Sequence, residues 1–135
     1  MRKQGCINPD IMKTLALCGH GDKILIADGN YPLGAKSGGA EKVYLGVSAG
    51  IPTVTQVLDA LLCEINVEKA EVMLPEDGST PEIFSAFSDR LGGIALDGLG
   101  RHEFYSACGE DCVRLAISSG EKRVYANLLI TVGVA

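Results

Sequence analysis

Short apolar runs alternate with segments of helical periodicity along this chain of 135 residues, and this alternation constrains the fold more than any other feature. From Thr53 onward, apolar residues recur at steps of three and four, which is typical of an amphipathic helix. Residues 23–28 form an apolar run between glycines that is too short for a helix and indicates a buried strand. Helices that alternate with strands predict an α/β fold, in which a mostly parallel sheet lies between helices in a three-layer sandwich.

Helix caps and apolar patterns place the other elements. Asn8 and Pro9 are typical of the first positions of a helix, and Gly19 is placed to end it. The last two predicted strands, residues 112–118 and 124–132, are joined by a turn and are expected to form an antiparallel hairpin. The remaining predictions are strands at 43–47 and 70–74, helices at about 79–90 and 101–108, and a short strand at 94–96 within the ambiguous segment 92–100.

Size and charge narrow the function classes. A mass of 14.2 kDa fits one domain spanning residues 1–135. The net charge of -5 opposes the attraction that drives nonspecific binding to polyanions, so nucleic acid is not expected as a partner. No apolar run approaches the roughly 20 residues that span a bilayer, and the first residues are unlike a secretory signal. We therefore expect no membrane partner and a cytoplasmic location.

The five cysteines are odd in number and show no paired spacing of the zinc-binding type. Reduced thiols are therefore expected, most of them as small core residues. Cys108 and Cys112 could form a redox pair. A helix end followed by a strand start explains their spacing equally well.

Polar side chains flank two predicted strands at one end of the sheet. This is the carboxyl end of the first strand, where α/β proteins bind ligands. Asp28 ends the first strand, and Tyr125 and Asn127 open the last one. If the last two strands form a hairpin and residues 112–118 run parallel to the first strand, the three side chains share that end. Each has a structural alternative: Asp28 can cap the following turn, Tyr125 can cover the sheet edge, and Asn127 can satisfy turn backbone.

One of only two histidines, His20, lies between two glycines in the turn before the first strand. Its ring is expected to be accessible, which suits proton transfer because imidazole titrates near neutral pH. An exposed or capping role without chemistry is the alternative. A metal-dependent isomerase that uses His20, Asp22 and Asp28 is disfavoured, because no second histidine falls at ligand spacing.

The glycine-rich loop at residues 29–39 invites a phosphate-binding interpretation because it follows a strand. A P-loop needs a glycine directly before its lysine and a helix that starts there. Here Ala35 precedes Lys36, Pro32 removes a backbone donor, and two glycines follow. The loop therefore disfavours nucleotide binding.

The segments that hold these candidates also carry a family resemblance, which covers essentially the whole chain. Four motifs occur in order: Gly19-His20-Gly21-Asp22, Ile26-Ala27-Asp28 leading to Tyr31-Pro32, Gly50-Ile51-Pro52 before the helix with Gln56-Val57-Leu58, and Ser119-Gly120-Glu121 followed by Tyr125-Ala126-Asn127-Leu128-Leu129 and Gly133-Val134. With these motifs the chain resembles the ribose pyranase and fucose mutarotase family of cytoplasmic sugar isomerases.

The resemblance implies roles for the candidate residues. His20 matches the family's acid/base histidine. Asp28 matches its neighbouring sugar-binding carboxylate and is a second catalytic candidate, which would hold sugar hydroxyls or orient the imidazole. Tyr125-Ala126-Asn127 matches the sugar-binding tripeptide, in which Tyr125 can exchange a proton with a sugar oxygen. Arg101 stands where ribose pyranases tend to have histidine and fucose mutarotases arginine, with His102 adjacent to it, and is expected to bind a sugar hydroxyl.

The resemblance also implies a function and an assembly. We expect a cofactor-independent enzyme without a metal that interconverts the ring forms of a free monosaccharide. Phe104-Tyr105 after Arg101 is more similar to the fucose branch, so L-fucose is expected ahead of D-ribose. Family members are ring-shaped homo-oligomers with sites near subunit contacts, and a decamer is one candidate size. A noncatalytic sugar-binding or regulatory subunit on the same scaffold is the alternative.

Overall fold

The computed structural model describes residues 1–135 and contains four helices and six strands. The strands are β1 (Lys23–Ala27), β2 (Glu41–Tyr44), β3 (Val67–Met73), β4 (Leu96–Leu99), β5 (Val113–Ser118) and β6 (Leu128–Val132). The helices are α1 (Pro9–Leu17), α2 (Val54–Leu62), α3 (Ile83–Leu91) and α4 (Arg101–Cys108). All six strands form one sheet in the order β2-β5-β1-β6-β3-β4. None of the helices has the length and apolar character needed to cross a bilayer.

Local sequence explains where the first two helices begin. The side-chain oxygen of Asn8 accepts the main-chain N–H groups of Asp10 and Ile11, both at 3.0 Å, and so caps α1. Thr53 Oγ1 accepts the Gln56 N–H at 3.2 Å, while Gln56 Oε1 accepts the Thr53 N–H at 2.9 Å. This reciprocal capping box begins α2. Both caps satisfy donors that a helix leaves unpaired, and the cap at Asn8 lies where the sequence predicts it.

Helices cover both faces of the sheet, which confirms the three-layer arrangement. On one face α1, α2 and α3 pack on strand residues such as Ile24 and Ile130. On the other face α4 and the loop at residues 31–40 pack on strand residues such as Leu25 and Leu129. Successive residues of a strand point to opposite faces, so β1 is apolar on both sides, as expected of a central strand.

The central strand β1 pairs in parallel with β5 and antiparallel with β6. The α/β fold with a mostly parallel sheet and an antiparallel last strand is confirmed. The predicted hairpin of the last two strands is wrong: β6 lies between β1 and β3 and does not pair with β5. Both edges of β5 are already occupied, by β1 and β2. Residues 119–127 therefore pass over the carboxyl end of β1 before the chain enters the sheet again.

Several element boundaries also differ from the predictions. The last strand begins at Leu128 rather than at residue 124, because Tyr125 has a φ of 58°, in the left-handed region that strands exclude. β3 begins at Val67 rather than at residue 70, because its polar first half pairs with the end of β6. Other differences include β2 at 41–44 rather than 43–47, β4 at 96–99 rather than 94–96, and α3 at 83–91 rather than about 79–90.

Candidate active site

Asp28 and Asn127 lie side by side where β1 ends and β6 begins. The Asn127 side-chain oxygen accepts the main-chain N–H of Asp28 at 2.9 Å, and Asn127 Nδ2 donates to Asp28 Oδ2 at 3.1 Å. Asp28 Oδ1 accepts the N–H of Asn30 at 2.8 Å. Antiparallel pairing produces this contact, because the residue after β1 and the residue before β6 meet at one edge of the sheet.

Burial governs the charge of Asp28, which is only 2% exposed. Removal from water raises the pKa of its carboxyl above the usual 3.8, and hydrogen bonds from Asn30, Ala126 and Asn127 offset part of that shift. Once ionised, a carboxylate of raised pKa is a better base and a better hydrogen-bond acceptor for a hydroxyl group.

Tyr125 and Arg101 form a second polar pair at the same edge. Arg101 Nη2 donates to the Tyr125 hydroxyl oxygen at 3.1 Å. Arg101 is the first residue of α4, so the position of that helix delivers the guanidinium to the site. The adjacent His102 instead faces Tyr105, with 6.4 Å between the ring centroids. Of the two neighbouring candidates, the structure joins Arg101 to Tyr125.

An aromatic cluster supports the Arg101 side of the site. The ring centroids of Tyr31 and Tyr105 lie 5.6 Å apart, and Lys36 Nζ lies 5.4 Å from the Tyr105 centroid. The Tyr31 hydroxyl donates to the main-chain oxygen of Lys36 at 2.6 Å, which ties the glycine-rich loop down. Tyr105 and Tyr125 both pack against the buried core on this face of the sheet. The loop at residues 29–39 thus packs against α4 beside the candidate site.

A cavity of about 620 Å³ opens beside Tyr125. Its walls come from the segment between β3 and α3, from Ile83 at the start of α3, and from residues 123–125. Small-molecule sites usually have volumes of about 300 to 1,000 Å³. Acidic side chains of Glu76 and Glu82 together with Arg123 line it, so the cavity offers both hydrogen-bond acceptors and donors.

His20 lies at the other end of β1, in the turn between α1 and that strand. Its Nδ1 is 3.0 Å from Glu68 Oε2, and its side chain is 60% exposed. A carboxylate on Nδ1 favours the tautomer whose Nε2 can accept a proton. With about 3.3 Å per strand residue, the length of β1 alone separates His20 from Asp28 by roughly 16 Å. One chain therefore does not bring the two residues together.

The metal site considered from the sequence is not formed within this chain. His20 and Asp22 lie before β1, and Asp28 lies after it. Asp22 Oδ2 accepts the Gly19 N–H at 2.8 Å and so holds the turn. No three His, Cys, Asp or Glu side chains lie close enough together to hold a metal ion.

Two carboxylates near the candidate residues were missed by sequence reasoning. Glu68 was missed because it lies in the polar first half of β3, where the strand pattern was weak. Glu121 is buried in the segment between β5 and β6. The Ser119-Gly120-Glu121 motif was the available signal for it, since a charged residue inside an ordered turn needs partners.

The chain belongs to the RbsD / FucU transport protein family, whose family model matches residues 1–135. A D-ribose pyranase from Streptomyces avermitilis is 34% identical over 134 residues, which are 99% of this chain and 98% of that relative. The structure of Bacillus subtilis RbsD complexed with D-ribose superposes with a TM-score of 0.86 at 29% identity, covering 100% of this chain and 99% of the other.

The fucose mutarotase from Streptococcus pneumoniae, solved in complex with L-fucose, has a TM-score of 0.84 at 25% identity, again covering 100% of this chain and 99% of the other. Membership of the predicted family is thus confirmed, and so is the expectation of an isomerase. The relatives include both D-ribose pyranases and a fucose mutarotase, so they support sugar ring-form interconversion without favouring one sugar.

Proposed function

We propose that the protein is a cofactor-independent isomerase that interconverts the ring forms of a free monosaccharide by general acid/base catalysis. The observation that carries the proposal is the cluster at the end of β1, where the Asp28–Asn127 pair lies at the same edge as the Arg101–Tyr125 pair. A carboxylate, a carboxamide, a phenol and a guanidinium offer the donors and acceptors that sugar hydroxyls need. Family membership supports the same reaction class.

Ring opening moves two protons. The anomeric hydroxyl loses one and the ring oxygen gains one as the ring C–O bond breaks, and the open sugar then closes again on the other face or through another hydroxyl. In this proposal His20 shuttles the proton, which typically contributes a rate factor on the order of 10²–10⁴. Tyr125 exchanges a proton with a second sugar oxygen. Asp28, Asn127 and the main chain of Ala126 hold the hydroxyl groups.

A second copy of the chain would complete this site. His20 and Asp28 lie at opposite ends of β1, so a contact that joins them uses two different surfaces of the chain. Head-to-tail contacts of this kind close into rings when the rotation allows it. The proposal is therefore a ring-shaped homo-oligomer, with a decamer as one candidate size.

L-fucose is the substrate we put first, and D-ribose the second. The hydrogen bond from Arg101 to Tyr125 supports L-fucose, because arginine at this position is typical of fucose mutarotases. The D-ribose pyranases among the relatives support D-ribose. The five free cysteines suit a reducing compartment, so we place the enzyme in the cytoplasm.

NMR exchange spectroscopy on equilibrated L-fucose and D-ribose tests the proposal. We expect the protein to accelerate exchange between ring forms, and His20→Ala to lose most of that acceleration. His102→Ala is the matched control, since this second exposed histidine faces Tyr105 and should leave the rate unchanged. No acceleration with either sugar, or full activity in His20→Ala, would overturn the proposal.

A noncatalytic sugar-binding subunit is the second candidate, and the description of the family as transport proteins favours it. Such a subunit would bind the sugar through the same residues as the proposed enzyme but would not catalyse ring-form exchange. Saturable sugar binding by calorimetry, together with unchanged exchange rates in the NMR experiment, would establish this candidate instead.

A further inference from the structure

A buried carboxylate lies beneath the loop that carries Tyr125 and Asn127. Glu121 is only 4% exposed. Its Oε1 accepts the Arg123 main-chain N–H at 3.2 Å and Arg123 Nε at 2.9 Å. Its Oε2 accepts Arg123 Nη2 at 3.0 Å and the Val54 main-chain N–H at 3.3 Å. Both oxygens are thus engaged within the chain, so Glu121 holds protein segments rather than a ligand.

Main-chain contacts of the same residue reach the turn next to Asp28. The Glu121 carbonyl oxygen accepts the Gly29 N–H at 2.9 Å, and a Cβ at residue 29 would lie 3.2 Å from that oxygen. The Glu121 N–H donates to Ser119 Oγ at 3.2 Å, and Ser119 Oγ donates to the Ala27 carbonyl at 2.7 Å. One residue therefore links the end of β1, the start of α2 and the loop before β6.

The loop before β6 needs such an anchor because of the Tyr125 backbone. A φ of 58° is unfavourable for a residue with a side chain and persists only where the surroundings hold it. The ion pair of Glu121 with Arg123 ends two residues before Tyr125. The Arg123 guanidinium holds the pKa of the Glu121 carboxyl below its usual 4.5, so this anchor is ionised at neutral pH.

We propose that Glu121 is a positioning residue of the sugar site: by fixing residues 121–127 against the end of β1, it sets where Tyr125 and Asn127 stand relative to Asp28. This inference rests on the proposed isomerase function. The Glu121 carboxylate is required because all four groups that bond to its oxygens are hydrogen-bond donors. In Glu121→Gln one acceptor becomes an NH₂ group that faces a donor, although the side chain keeps its shape.

Kinetics of Glu121→Gln test the positioning role. We expect kcat for ring exchange to fall about tenfold to hundredfold, because small displacements of catalytic groups have effects of that size. In an Asn127→Ala background the further loss should be smaller, since the group that Glu121 positions is gone. Ile11→Ala is the control for lost stability: this residue is buried in α1 and should leave kcat unchanged at a temperature where the protein is folded.

Amide hydrogen exchange separates this inference from the proposed function. In Glu121→Gln the amides of Asp28 and Gly29 should exchange faster, whereas those of Ile24 and Ile26 within β1 should not change. Faster exchange along all of β1, or none at Asp28 and Gly29, overturns the positioning role, as does an unchanged kcat in an active enzyme. A wild-type protein without isomerase activity overturns only the proposed function, and the exchange pattern still decides whether Glu121 holds the loop.

Should Glu121→Gln fail to fold, Arg123→Gln provides the same measurement. It removes the ion pair and leaves the main-chain contacts of Glu121 with Gly29 and Ser119 in place. The expected results are a smaller loss of kcat and faster exchange at Gly29. An Arg123→Gln protein with wild-type kcat and wild-type exchange at Gly29 overturns the inference.

Discussion

Asp28 and Asn127 are 99 positions apart in the chain, yet each donates a hydrogen bond to the other. The Asp28 N–H bonds to the amide oxygen, which leaves the amide nitrogen to face the carboxylate. A carboxamide can do both at once, because it accepts at its oxygen and donates at its nitrogen. The pair fixes both side chains before any ligand arrives, so a sugar hydroxyl would meet an acceptor that is already oriented.

Asn127→Asp should damage the site while it preserves the shape of the side chain. The substitution replaces the donor to Asp28 by a second carboxylate, and two adjacent carboxylates resist joint ionisation. We expect kcat/KM for ring exchange, measured by NMR, to fall about ten- to hundredfold, as for other lost buried hydrogen bonds. Asn30→Ala is the control, because Asn30 serves Asp28 only through its main chain. Equal activity of both variants would contradict the role given to Asn127.

The raised pKa of Asp28 should affect the pH dependence of activity and that of the free energy of unfolding, with opposite slopes. Activity should rise with pH through an apparent pKa above 3.8, because the ionised carboxylate binds the hydroxyl groups. The folded state holds the Asp28 proton more tightly than the unfolded state, so the free energy of unfolding should receive a contribution that falls as pH rises above 3.8. Urea unfolding of wild type and Asp28→Asn at pH values above 3.8 measures this contribution. If the free energy of unfolding had the same pH dependence in both proteins, the raised pKa of Asp28 would be contradicted.

Two inactive variants should restore each other if the site is shared between copies. His20→Ala lacks the acid/base group at one end of β1, and Asp28→Asn lacks the carboxylate at the other. When the variants are unfolded together and refolded as mixed rings, about a quarter of the sites should carry both intact residues in a head-to-tail contact. NMR exchange rates measure the recovery. Separately refolded variants are the control, and absence of recovery in verified mixed oligomers would argue against a shared site.

The backbone of Tyr125 predicts an unusual order of stabilities. At a φ of 58° glycine is unstrained and alanine is not, so Tyr125→Gly should be about 1 kcal/mol more stable than Tyr125→Ala. Tyr125→Phe should keep the fold and lose activity, because it removes the hydroxyl that Arg101 contacts. Thermal unfolding and ring-exchange rates measure the two effects. An alanine variant as stable as the glycine variant would show that the loop relaxes away from this φ.

Much of the fold could be predicted because its signals are local. Asn8 and Thr53 cap their helices with side chains a few residues from the donors they satisfy, and this spacing is visible in the sequence. The apolar run of β1 predicts a central strand, since polar residues there would have no partners on either face. The meeting of Asp28 with Asn127 also followed from strand order, although the pairing that produces it is different.

The rest depended on contacts between distant segments. β6 has the same apolar pattern whether it pairs with β5 or with β1, so the sequence does not distinguish a hairpin from insertion between two earlier strands. Nor does a motif reveal distance: His20 and Asp28 are eight positions apart, but an extended strand lies between them. Glu121 also bonds to Val54 and Gly29, and no local sequence pattern connects it with these distant partners.

The position of β6 has a consequence for how the chain is made. Strands β2, β5 and β1 form one half of the sheet, β3 and β4 form the other, and β6 is the only strand that joins them. During synthesis from the amino terminus, the edges of β1 and β3 that β6 covers stay unpaired until residues 128–132 leave the ribosome. Unpaired strand edges attract other chains. A stalled or shortened chain that ends before Leu128 should therefore aggregate. Pairing of the last strand is thus the step that protects the newly made protein from aggregation.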